Sequence, residues 1–184
     1  MRAFVPLLLV FVFGCGDSTE EYMPLGEGNR WTYEVRLDAD YFDADMTVER
    51  AASVGSARGW LIASDLGQCR MAWSDGELIA AELAGTTYAP PVPLFAESGR
   101  EWSGVVATPT TKSAATARLV RTKEDLVIAG RTYGTVKCVL TLEGSGEKTQ
   151  LTTWFFSGLG ILRQEQRSGP ALTRDRRIDF VSGP

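Results

Sequence analysis

From Trp31 onward the chain alternates apolar and polar residues with a period of two. Trp31, Tyr33, Val35 and Leu37 fall on one side of an extended segment, and Thr32, Glu34, Arg36 and Asp38 on the other. Successive side chains of a strand point to opposite faces, so this spacing specifies a strand with one apolar face and excludes an amphipathic helix there. Similar runs cover 44–52, 58–64, 68–74, 76–83, 116–122, 125–129, 132–143, 149–156, 160–167 and 173–181. Turn-forming pieces divide them, among them Ser74-Asp75-Gly76, Ala129-Gly130-Arg131, Gly144-Ser145-Gly146 and Ser168-Gly169-Pro170. Short connections favour an antiparallel meander, and helix patterns that would alternate with strands in a parallel sheet are missing. Thr86 to Gly104, with Pro90, Pro91 and Pro93, is the least regular stretch; 92–98 fits a short helix or a loop equally well. Val105 to Ala117 reads as an edge strand or a mobile loop. The predicted class is all-β, mainly antiparallel, with little helix.

The start of the chain carries a different signal. Met1-Arg2 precedes an apolar run from Ala3 to Phe13, then Gly14-Cys15. A basic start, about 11 apolar residues and a small residue before the cut describe a secretory signal. A membrane-spanning helix needs about 20 apolar residues, so the run is too short for one. Val12-Phe13-Gly14-Cys15 resembles the lipobox of bacterial lipoproteins, with Phe13 bulkier than the residue usual at its place. The resemblance implies cleavage between Gly14 and Cys15, a diacylglycerol on the Cys15 sulfur, and so a membrane as partner. Gly16, rather than an aspartate, follows the cysteine, which by the same resemblance favours the outer membrane, facing the periplasm. Residues 16–21 are polar and acidic and read as a tether. The expected layout is a signal peptide at 1–14, a lipidated tether at 15–23 and one β domain at 24–184.

Composition narrows the chemistry. Without residues 1–14, 18 basic side chains face 23 acidic ones, which offers no positive field for nucleic acid. The chain has no histidine. That removes Ser-His-Asp and Cys-His nucleophile systems, His-ligated zinc and the commonest general base. No phosphate-binding glycine motif occurs, and no cofactor is expected. Asp38, Asp40, Asp43 and Asp45 alternate as calcium ligands can, but lack the central glycine and the terminal glutamate of an EF-hand loop, so they read as a solvated connection. Arg163, Arg167, Arg174, Arg176 and Arg177 read as outward charges that protect a sheet edge, or else as a patch for an acidic partner. Cys69 and Cys138 remain after Cys15. In an exported chain they are a candidate disulfide, worth about 4 kcal/mol in the entropic account, or two separate buried thiols.

Two local patterns resemble those of bacterial envelope lipoproteins without a defined activity. One is Tyr22-Met23-Pro24-Leu25-Gly26-Glu27-Gly28-Asn29-Arg30-Trp31-Thr32-Tyr33; the other is Trp154-Phe155-Phe156-Ser157-Gly158-Leu159-Gly160-Ile161-Leu162-Arg163. The resemblance implies a single, strongly curved sheet, or an open half-barrel like that of periplasmic lipoprotein carriers. On such a sheet Trp31, Tyr33, Trp60, Met71, Trp73 and Trp154 are candidates for an apolar pocket or for ordinary core. The expected role is non-catalytic: an anchored envelope protein that binds an apolar ligand or a lipoprotein-like client. The alternative is an interaction protein working through a sheet edge or a surface patch.

Overall fold

The computed structural model of the chain describes residues 19–37, 40–144, 147–169 and 174–183. The expected signal peptide, Gly14 and Cys15 lie outside the described residues. After a short 3-10 helix, Thr19–Tyr22, come β1 (Arg30–Leu37), β2 (Asp40–Val54), β3 (Ala57–Ser64), β4 (Cys69–Ser74), β5 (Glu77–Leu83) and β6 (Thr86–Phe95). They are followed by β7 (Arg100–Ala107), β8 (Lys112–Ile128), β9 (Arg131–Gly144), β10 (Glu147–Phe156), β11 (Gly160–Ser168) and β12 (Arg174–Ser182). Each strand pairs antiparallel with the next, and β1 pairs with β12, with Val35 opposite Ile178 and Tyr33 opposite Phe180. The fold is a closed, twelve-stranded, up-and-down barrel.

Closure corrects the expected open half-barrel. It also removes the exposed sheet edge on which the interaction reading relied, because every strand has two partners. Two of the three prolines of β6 sit at a gap in its ladders, and Pro93 pairs with Ile79. Toward β5 the pairs run Leu83–Thr86 and Glu82–Thr87, then resume at Ala80–Val92; toward β7 they end at Ala89–Val105. Pro90 and Pro91 fall between, where no ladder needs their missing N–H. No helix forms at 92–98, since β6 runs through Phe95; residues 105–107 and 112–117 belong to two ring strands, joined by the turn at 108–111.

The inner face forms the main core, with Trp31, Tyr33, Phe95 and Phe155 fully buried. The outer wall carries ion pairs instead, among them Arg70–Glu82 at 2.8 Å, Lys137–Glu124 at 2.7 Å and Lys148–Glu143 at 2.9 Å. A barrel spanning an outer membrane shows lipid an apolar belt, so this wall is built to face water. The Asp cluster contributes to it: Asp45 pairs with Arg30 and accepts a 2.7 Å bond from Thr32, which holds its carboxyl below the usual carboxylate range. Outside the ring, the long β8–β9 hairpin lays Leu126 against Trp154 and Leu162 in a second cluster.

The expected tether is shorter than residues 15–23. Thr19–Tyr22 and Met23 lie across one end of the barrel: the Tyr22 ring stacks on Phe95 at 5.1 Å, Met23 is fully buried, and Trp73 donates its indole N–H to the Met23 carbonyl at 2.8 Å.

Cys69 and Cys138 form no disulfide, contrary to the bridge preferred from sequence; both are buried thiols. Their strands, β4 and β9, stand five places apart in the ring. Burial pushes the Cys138 thiol up to about 12. The expected result of alkylating the unfolded chain from residue 16 onward, without reductant, is therefore two added groups, read by intact mass. Addition of none would restore the bridge.

Candidate functional site

A twelve-stranded ring is wider than the eight-stranded barrels that side chains can just fill, and narrower than porins that leave a water channel. Here the interior is divided. One end, where the chain passes from β4 to β5, β6 to β7 and β10 to β11, is plugged. Phe95 sits at the centre of the plug, with Trp73 edge-on at 5.5 Å, Phe155 at 5.4 Å, and the Arg121 guanidinium over its ring at 5.2 Å.

The two patterns noted in the sequence meet at this end. Trp31 donates its indole N–H to the Leu159 carbonyl at 2.7 Å, and the Gly158 N–H bonds the Glu21 carbonyl at 2.9 Å. Gly160 holds φ at +93°, and a Cβ there would stand 3.2 Å from both the Met23 sulfur and the Trp31 ring nitrogen. Glycine is required on both counts. The two patterns thus meet as a clasp, closing the barrel against the N-terminal segment.

The other end, where β3 turns to β4, β5 to β6 and β7 to β8, is open. It leads into a cavity of about 600 Å³, within the range of small-molecule sites. Met46, Met71, Leu83, Tyr88, Leu140 and Ile161 supply much of the apolar wall, and Ser64, Thr108, Thr149, Gln164 and Gln166 contribute hydroxyls and amides. Lys112, at the start of β8, is the single charged residue among the described residues that line it. Burial, with a smaller contribution from Cys69, pushes the Tyr88 hydroxyl up to about 12.

The residues singled out from sequence divide accordingly. Met71 and Cys69 line the cavity. Trp31 and Tyr33 belong to the packed core, and Trp60 and Trp73 pack against it half-buried. Trp154 is buried as core of the smaller outer cluster with Leu126 and Leu162, its N–H toward Glu124 at 3.3 Å, and does not line the cavity. Gln164 and Gln166 were missed for a definable reason. A bulge at Leu162, seen as Trp154 opposite Arg163 but Phe155 opposite Ile161, reverses the phase of β11 and turns its polar residues inward. Alternation alone assigns them to solvent.

No family model matches the sequence, and no curated protein matches it. Three solved structures are similar in fold. A "putative lipoprotein" from Parabacteroides distasonis ATCC 8503 has a TM-score of 0.50 and 12% identity, over 89% of this chain and 98% of that one. A "putative exported protein with YmcC-like fold" from Bacteroides fragilis NCTC 9343 gives 0.48 and 14%, over 86% and 96%. The hypothetical lipoprotein YmcC from Escherichia coli K12 gives 0.45 and 13%, over 85% and 88%. At such identities the likeness is one of fold, and the Parabacteroides protein is the comparison on which that statement rests.

Proposed function

We propose that this chain is an exported, lipid-anchored envelope protein that takes an apolar ligand into the open half of its barrel. The observation that carries the reading is the cavity: about 600 Å³, apolar in much of its wall, blind at one end and open at the other. The description of the Parabacteroides protein as a lipoprotein agrees with the lipobox-like segment ending at Cys15. In this reading the role is binding: much of the wall is apolar, and its described polar groups are hydroxyls, amides and one lysine.

Anchor and cavity together imply an orientation. Thr19 is four residues from Cys15, a reach of at most about 14 Å, and Thr19–Met23 is seated on the plugged end. Lipid on Cys15 would therefore hold the plugged end against the bilayer and direct the mouth away from it. A surface reading also has one observation in its favour. Leu37, Tyr41 and Phe42 are exposed beside the β1–β2 turn, at the mouth end, where a client could be met.

The test uses the chain from residue 16 onward, purified without detergent, and a fluorescent apolar probe. Stoichiometric binding, reversed by long-chain alcohol or fatty acid, is expected at micromolar concentrations. A folded protein that takes up none of these would overturn the reading.

A further inference from the structure

We infer that the ligand is a single-chain amphiphile with an anionic head, its tail in the barrel and its head at Lys112. This rests on the cavity reading and adds the ligand's chemical class.

The cavity opens at the mouth. Inward, its lining residues Met71, Leu140 and Ile161 belong to the same main core as Phe95, which plugs the far end, so an occupant presents a polar group at the mouth, and a second polar head at its other end would be buried unpaired. The wall is graded in the same sense. Met71, Leu140 and Ile161 belong to the main core, whereas Thr108, Thr111 and Lys112 are exposed at the rim.

Among the described residues that line the cavity there is no aspartate or glutamate, and Lys112 is the only cation. Ion pairs on the outer wall neutralise Arg30, Arg70, Arg100, Arg118, Lys137 and Lys148. Among the described residues no carboxylate stands within ion-pair distance of Lys112. The position is also held. Thr108 donates its backbone N–H to the Thr111 carbonyl at 2.9 Å, their hydroxyls lie 2.8 Å apart, and the Thr111 N–H reaches the Thr108 hydroxyl at 3.1 Å. This turn delivers Lys112 to the rim as the first residue of β8. A cation without a described carboxylate partner, above an apolar well, fits a carboxylate or phosphate head, with the threonine hydroxyls beside it.

The experiment compares hexadecanoate, hexadecyl phosphate and hexadecanol as competitors of a neutral fluorescent probe, on the chain from residue 16 onward and its K112M variant. Lys112 is exposed, so the variant keeps the fold, verified by its thermal midpoint. An exposed charge contributes up to about 1 kcal/mol, or roughly fivefold in affinity. At least one anionic competitor is therefore expected to bind roughly fivefold tighter than the alcohol, an advantage K112M erases while leaving the alcohol unchanged. The tighter of the two anions tells a carboxylate head from a phosphate. Equal binding of all three to the unaltered protein, or an equal loss of all three in K112M, would overturn the anionic head while the cavity reading stands. Failure of all three, alcohol included, would overturn both.

Discussion

Replacing Phe95 with alanine is expected to lower the unfolding free energy by about 3–5 kcal/mol, the usual cost of deleting a fully buried phenylalanine. The upper part of that range applies, because the ring is shared by separate parts of the chain. Tyr22 stacks on it from the N-terminal segment, Trp73 meets it from β4, Phe155 from β10, and Arg121 from β8. These groups are drawn from all round the ring, so none can close over the gap without disturbing its own strand pairing. A domain's total stability is about 5–15 kcal/mol, so the loss is a large share of it, and for a chain of this size roughly 10 °C in Tm. Urea unfolding followed by tryptophan fluorescence measures it. Val127→Ala, at a side chain 59% exposed, is the matched control and should change stability by less than about 0.5 kcal/mol. A loss below 1 kcal/mol for F95A would mean that the plug does not hold the barrel together.

Much of this fold is legible in the sequence, because strand formation is a local matter. Trp31, Tyr33 and Val35 declare an inward face by spacing alone, and all three are buried. Closure is not local. It depends on β1 meeting β12 with Tyr33 opposite Phe180, a pairing nearly 150 positions apart that no window of residues reveals. The same distance hides the clasp: Trp31 and Gly160 are each readable, as a strand residue and a turn residue, but their contact is a property of the closed ring. The cavity was legible in part. Met71 follows from alternation, whereas Gln164 and Gln166 face inward only because a bulge at Leu162 reverses the phase of β11. Lys112 lies at the head of β8, in a stretch whose Thr, Ser and Ala content reads as an edge strand or a loop, and its position at a rim exists only once β7 and β8 stand in the ring. Cysteine parity misled for a related reason. An even number suits a bridge, but neither spacing nor alternation says that β4 and β9 stand five places apart.

Filling the cavity should separate binding from stability. Ala115 lies on β8 with its methyl group inward, 7% exposed, and lines the cavity. A tryptophan there would extend an indole into space that the protein's own side chains leave empty, so the overpacking cost of 1–3 kcal/mol typical of a filled core should be largely avoided. The ligand would lose that space. If the indole displaces about four methylene groups of an acyl chain, at about 0.8 kcal/mol each, binding weakens by about 3 kcal/mol, more than a hundredfold. Thr116→Trp controls for the added ring, because residue 116 is exposed and on the outer face of the same strand; its affinity should equal that of the unaltered chain. Unlike K112M, which should affect only anionic competitors, A115W should weaken hexadecanoate and hexadecanol alike. A tail in the barrel and a head at the rim make these two changes independent, and their combination should multiply the losses for hexadecanoate. Full affinity in a folded A115W protein would place the bound chain elsewhere and remove the cavity from the function altogether.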